Sequence, residues 1–435
     1  MPAFGKKMMQ RQMPRASSWI RYPGRCSSAA ARLYAAGAVA LALVAPMMAL
    51  ANRSSPLLVG VAALLFLAGT VAERGRRAAS DLITPLRAPL GLAALAFLAW
   101  CLVSLAWSPF PALWGRVLSE FLPTLAAAAI LARLAPARLP PWALPLGAGL
   151  LAAACLFIAA SLALGLAPQA WLGQRVALFM FNRPLLTVVL LAGPIAAFLA
   201  LRGHRLAAVI LLGVAALAIL RSISGAAILG LLAGAVMFAV GRLAPRSMAL
   251  ALAALTLGLA FALAPVEGDI LHRLMPEAAH ERLTQSSSRA RVAIAQSFGA
   301  AVAQAPWIGS GYGMGLHFAE VPASQALEPE MRAMLAVGHP HNSFLQIWAE
   351  LGFVGAALAA LVAFLALRAA AALPRLLFAS ALGLLGAAVA VMFVEHGAWQ
   401  GWWTAGLGAA ITWLRGAACA KPPYESAHES EDARA

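Results

Sequence analysis

Charge is scarce in this 435-residue chain, where Asp, Glu, Lys and Arg make up only 11% of the sequence. A soluble domain carries about 25%, so a water-facing globular surface is excluded. Cysteine is scarcer still. The four cysteines, Cys26, Cys101, Cys155 and Cys419, lie near the two ends or inside apolar runs. None has metal-ligand spacing, which excludes a disulfide framework and a zinc site. A nucleotide-binding loop is missing too. The glycines of WIGSGYGMG (307–315) follow no strand and precede no Lys-Ser/Thr pair. No internal repeat is visible, which argues against transporters built from repeated halves.

Hydrophobic residues, by contrast, are 62% of the chain. A spanning helix needs roughly 20 mostly apolar residues. The sequence predicts twelve: 33–51, 55–73, 88–107, 117–135, 142–167, 184–202, 205–221, 223–242, 247–265, 343–367, 376–395 and 399–415. The expected fold is an all-α polytopic membrane protein of about 12 transmembrane helices, with one large periplasmic loop between helices 9 and 10. Its sections are a basic cytoplasmic tail (1–32), helices 1–9 (33–265), the loop (266–342), helices 10–12 (343–415) and a disordered cytoplasmic tail (416–435). A signal peptide is the rival reading of the N-terminus, but the run from Leu33 is too long for its apolar region.

The net charge of +16 suits nucleic acid only if the basic residues cluster, and here they are dispersed between apolar runs. With both termini in the cytoplasm, 22 Lys and Arg face inward and ten face outward, as the positive-inside rule requires. The outward arginines therefore need a reason. Arg183 stands in FNRPLL at the mouth of the sixth span, and Arg221 in ILRSISG between the seventh and eighth. Arg289 and Arg291 open an Ala-rich loop segment, Ser288 to Gln304. Val292, Ile294, Ala295 and Phe298 are spaced there for the apolar face of a helix beside the bundle. A guanidinium fork fits phosphate oxygens; snorkelling to headgroups or helix capping is the alternative. On the same face, His339 and His341 end the loop in GHPHNSF. Either imidazole could act as a general base near neutral pH, with arginines favouring its neutral form. A surface or capping role is the alternative, and a metal pair lacks accompanying ligands. Glu350 falls inside the tenth span, where structural hydrogen bonding is expected. Glu395, His396 and the tryptophans of FVEHGAWQGWW (393–403) read as an interfacial belt.

These motifs resemble the O-antigen ligase and polymerase superfamily of bacterial envelopes. His341-Asn342, nine residues, Gly352, two residues and Gly355 look like the ligase-type pattern at the end of the large loop. Arg291, fifteen residues before Pro306 of P-x-x-G-x-G, resembles the loop-helix arginine of that family. FNRPLL and Arg221 are similar to its other basic positions. The resemblance implies a metal-independent, inverting glycosyltransferase without cofactors, in the bacterial inner membrane with its active site on the periplasmic side. Its donor would be a glycan on undecaprenyl pyrophosphate and its acceptor a sugar hydroxyl of the lipid A core. His341 would be the base. Arg291, Arg183, Arg221 and Arg289 would hold the pyrophosphate, and His339, Asn342, Gly352 and Gly355 would support the site. Beyond these lipid substrates and membrane lipids, no partner is implied, and no nucleic acid. A polymerase of the same superfamily, for O-antigen or exopolysaccharide, shares the donor chemistry. A transporter or lipid flippase is the non-enzymatic alternative.

Overall fold

The computed structural model describes residues 28–276, 278, 281, 288–395 and 397–420. Residues 1–27 and 421–435, Arg282 and His396 lie outside the described residues, while 28–32 and 416–419, expected in the tails, belong to the first and last helices. Regular backbone among the described residues is helical throughout, as hydrocarbon demands of a chain whose peptide groups must pair internally.

The first apolar run is broken into α1 (Ser28–Ala42) and α2 (Val44–Leu50), bent by 44°. Pro46 accounts for the break, because a proline ring collides with the carbonyl four residues back, here that of Ala42. Next come α3 (Ser55–Arg74), α4 (Arg77–Ile83), α5 (Pro89–Val103), α6 (Pro111–Leu134), α7 (Ala143–Ala163) and α8 (Ala167–Trp171). They are followed by α9 (Asn182–Leu201), α10 (Arg205–Leu220), α11 (Gly225–Leu243) and α12 (Arg246–Leu263). The polar segment between the ninth and tenth apolar runs is also helical in pieces: α13 (Glu267–Leu274), α14 (Ser288–Gln304), α15 (Pro322–Gln325) and α16 (Pro329–Leu335). The chain ends in α17 (Ser343–Ala370), α18 (Arg375–Val394) and α19 (Gly401–Cys419).

Nine helices among the described residues are long and apolar enough to cross a membrane, or ten counting the bent pair. Two further expected spans fall on helices outside that set. α10 has 16 residues, about 24 Å at 1.5 Å per residue. α19 is diluted by glycines, threonines and Arg415.

The bundle is arranged around α9 and α18, which are buried along most of their length, while most other spans bury about a third. In lipid, helices associate by close packing rather than by excluding water. α11 and α18 meet through glycines for this reason. A Cβ on Gly234 would lie 3.1 Å from the carbonyl oxygen of Gly383, and one on Gly241 would lie 2.7 Å from the Cα of Ala379. At the end of the bundle where α18 begins, arginines tie helices together. Arg375 donates to the carbonyl of Arg242, and Arg246 to those of Ala371 and Leu373. At the other end, α14 lays Val292, Ile294, Ala295 and Phe298 against the bundle. Two histidines and several arginines gather there.

Candidate active site

The site is built outward from Asn342. Its extended backbone starts α17, and its Oδ1 accepts from the backbone N–H groups of Phe344 (2.8 Å) and Leu345 (3.1 Å). This is the N-cap arrangement that satisfies the first unpaired donors of a helix. Its Nδ2 donates to Oε2 of Glu267 on α13 at 2.5 Å, and both side chains are buried. Asn342 is thus fixed from both ends, which pins the residue before it.

That residue, His341, has φ +56°, a left-handed conformation that costs a non-glycine residue about 1–3 kcal/mol. Its backbone N–H donates to Nδ1 of His339 at 3.3 Å, and the two rings meet edge to face with centroids 4.4 Å apart. Nδ1 of His339 is therefore an acceptor, and its ring is neutral. Burial pushes its pKa down to about 4, with His341 and Arg291 adding to the effect and Glu395 opposing it. Burial also lowers the pKa of His341, and Arg291 lowers it further. The His341 ring is hydrogen-bonded at the Glu395 backbone, while its Nδ1 is buried with no partner among the described residues.

Arg291 comes from the first turn of α14. Its guanidinium donates to the carbonyl of Val394 and, at 3.0 Å, to Oε2 of Glu395, where α18 ends. Arg183, at the start of α9, lies over the Trp402 ring, 5.4 Å from its centroid. It is within electrostatic reach of Glu395 and of Arg53. The structure thus brings together His341, His339 and Arg291, with Arg183 connected to them only through the field of Glu395. Arg289 is exposed on α14, roughly 200° around the helix from Arg291, and so faces away from this cluster. Arg221 is exposed after the last residue of α10, and its side chain has no hydrogen bond or ion pair among the described residues. No three His, Cys, Asp or Glu side chains form a metal-ligand group among the described residues.

Gly352 and the loop glycines support the site from below. α17 is interrupted at Gly352 (φ +64°, ψ −164°). The backbone groups released there pair with the loop after α14. Ser310 and Gly311 donate to the carbonyls of Ala349 and Glu350, while Phe353 and Val354 donate to those of Pro306 and Trp307. The strands of this contact approach so closely that a Cβ on Gly309 would lie 2.5 Å from the carbonyl carbon of Glu350. One on Gly352 would lie 2.4 Å from that of Trp307. Gly355, one turn on, sits buried in α17. Glu350 accepts from the Gly313 backbone (2.6 Å), Gln346 Nε2 (2.7 Å) and Trp399 Nε1 (2.8 Å). Gln346 in turn accepts from the backbone of Ala398 at 2.8 Å. Loop, helix and the segment after α18 are thereby locked to one another.

Glu395, Glu267 and Arg53 did not stand out in the sequence as members of this cluster. Glu395 sat in a tryptophan-rich stretch that reads as a membrane belt. The loop pairing of Glu267 leaves no local spacing, and Arg53 is separated by about 130 residues from Arg183.

Residues 206–360 match the family described as O-Antigen ligase. The matched stretch runs from α10 into α17 and contains Arg221, Arg289, Arg291, both histidines, Asn342, Gly352 and Gly355. Arg183 and Glu395 lie outside it. No curated protein matches the chain.

Proposed function

We propose, from the O-antigen ligase superfamily to which residues 206–360 assign the chain, that it is an inverting, metal-independent glycosyltransferase. It moves a glycan from undecaprenyl pyrophosphate to a sugar hydroxyl of the lipid A core. The observation that carries this reading is a strained histidine beside Arg291 at one mouth of an apolar bundle, with Arg183 nearby on the other side of Glu395.

His341 takes the proton from the acceptor hydroxyl, and the unused lone pair of Nδ1 is suited to it. The acceptor oxygen forms a bond to the anomeric carbon while the bond from that carbon to the pyrophosphate oxygen breaks. Its electron pair leaves with undecaprenyl pyrophosphate. Arg291 and Arg183 stabilise that charge in a poorly hydrated site. Arg291 uses one N–H on Val394 and one on Glu395, which leaves three of its five donors for phosphate oxygens. Glu395 holds the guanidinium in place and offsets part of the charge. Arg289 and Arg221 are exposed and outside this cluster, so they fit headgroup or donor capture better than the transfer step. We place twelve spans in the inner membrane, counting α10, α19 and the bent pair, with the helices between α12 and α17 on the periplasmic side.

Purified protein given donor and acceptor without divalent ions should transfer glycan. His341→Ala should abolish transfer, and Arg291→Ala should reduce it by at least about 100-fold, as loss of an oxyanion-stabilising donor does. Near-normal transfer by His341→Ala would remove the assigned base. The polymerase reading shares the whole donor half of the site. In cells, loss of a ligase leaves core-only lipopolysaccharide while long glycan accumulates on the carrier. Loss of a polymerase leaves core bearing a single repeat.

A further inference from the structure

Arg53, in the first turn at the histidine end of the bundle, has no part in the transfer chemistry above. It stands between α2 and α3, in a turn that the Ser54 N–H closes on the Ala51 carbonyl at 2.9 Å. Side chains on either side of it pin this turn to the elements around Arg183. Asn52 Nδ2 donates to the Met180 carbonyl at 3.4 Å, three residues before Arg183, and Ser55 Oγ donates to the Trp402 carbonyl at 2.9 Å. Trp402 is the residue whose ring the Arg183 guanidinium covers. Arg53 is therefore held between two anchors that flank Arg183, and the two cations lie within electrostatic reach of each other.

No carboxylate of the chain neutralises this pair. Neither guanidinium has a hydrogen bond or ion pair among the described residues. Glu395 is held by Arg291 at 3.0 Å, and Glu120, on the neighbouring α6, lies 3.6 Å from Arg116. Arg53 is exposed and Arg183 half-buried, so both are open to a ligand. Leu50, Leu57 and Phe179, all exposed apolar side chains, flank the turn and the approach to α9. Arg53 thus borders lipid, whereas Arg291 borders the histidines.

We propose that Arg53 is a further donor-binding residue. With Arg183 it grips the phosphate on the polyprenyl side of the donor pyrophosphate, while Arg291 faces the phosphate next to the sugar. This role rests on the glycosyltransferase reading above. Charge supports it. A pyrophosphate joining a polyprenol to a sugar carries one negative charge on each phosphate. Arg183 and Arg291 set against Glu395 leave a single positive charge, and Arg53 supplies the second. Placement supports it too, because the polyprenyl chain must leave one end of the pyrophosphate toward lipid and the sugar must leave the other toward His341. Two guanidinium forks suit phosphate oxygens, and lying over Trp402 leaves the Arg183 N–H donors unspent among the described residues.

The test is native mass spectrometry of the purified full-length protein titrated with undecaprenyl pyrophosphate. Arg53→Gln should weaken retention about tenfold or more, the worth of one charge-assisted hydrogen bond. Arg53→Lys should recover part of the loss, and Arg116→Gln, at an exposed arginine already paired with Glu120, should leave retention unchanged. In transfer assays Arg53→Gln should raise the donor KM by a similar factor while kcat and the acceptor KM stay near native, since it removes binding shared by ground and transition states. A structural fault would lower kcat instead. Undiminished retention by Arg53→Gln, where the native chain binds, would overturn the proposal. So would a rise in the acceptor KM alone, or displacement of undecaprenyl pyrophosphate by an equal concentration of phosphatidylglycerol. Failure of the native chain itself to bind undecaprenyl pyrophosphate would remove the donor reading and this role with it.

Discussion

His341 is costly twice over, in a left-handed backbone and in a buried ring nitrogen without a partner among the described residues. Strain of this kind persists where the surroundings over-determine it, and here the Asn342 cap and its Glu267 bond do so. The environment also sets the acid limb of the reaction. Burial and Arg291 hold the His341 pKa below its ordinary value of 6.5, so the ring is neutral, and able to accept a proton, at pH 7. The acid limb of kcat/KM should therefore have its midpoint below pH 6.5. An ordinary solvated imidazole would already be half protonated near pH 6.5. Arg291→Gln removes a cation that disfavours the imidazolium, so the limb of its residual activity should shift to higher pH. A pH–rate profile with its acid limb above 6.5 in the native protein would contradict a base in this setting. The Asn342 anchor has its own test. Asn342→Ala removes an N-cap worth about 1 kcal/mol and strips Glu267 of its Nδ2 donor. Thermal stability in detergent should fall, and kcat should fall with it, since the strained turn at His341 loses its support.

At the scale of elements, the interrupted helix α17 and the loop after α14 form one device. The pattern of His341, Gly352 and Gly355 is legible in the sequence as a motif, yet its physical content is a contact between two backbones that spacing cannot reveal. Gly352 has a conformation essentially closed to side chains, and Gly309 faces it across a gap too narrow for a Cβ. Gly352→Ala should therefore cost at least about 3 kcal/mol. Gly193, where a Cβ meets only open space, is the control: Gly193→Ala should leave folding intact. Unfolding curves in detergent would separate the two, and equal stability of the pair would contradict the close approach. The apolar runs themselves were readable because lipid imposes length and composition on a spanning helix. The break at Ala42–Val44 was less so, since Pro46 lies inside an otherwise continuous run. The cluster was partly readable. Arg183, Arg291 and the histidines announce themselves as polar residues at apolar ends, whereas Glu395 is masked by its tryptophans and Glu267 by its distance from Asn342.

Over the whole molecule, one end carries the histidines, Glu395, Arg183 and the helices α13 to α16. The other carries the arginine ties Arg242–Arg375 and Arg246–Leu373. This polarity, with the excess of basic residues at the tied end, supports an orientation in which the tied end is cytoplasmic. The count of crossings turns on α10 and α19, because the first is short and the second diluted. α10 nonetheless runs antiparallel between α9 and α11 through tight turns, so that Ile223, 51% exposed, should emerge at the histidine end. In a variant lacking the four native cysteines, Ile223→Cys and Ala326→Cys should react with a membrane-impermeant maleimide on intact spheroplasts. Ala372→Cys, and cysteines placed in either tail, should react only after permeabilisation. Protection of Ile223→Cys would mean that α10 does not cross. Labelling of just one tail in intact cells would mean an odd number of spans. Either result would separate the two basic ends and remove the charge argument that places His341 outside.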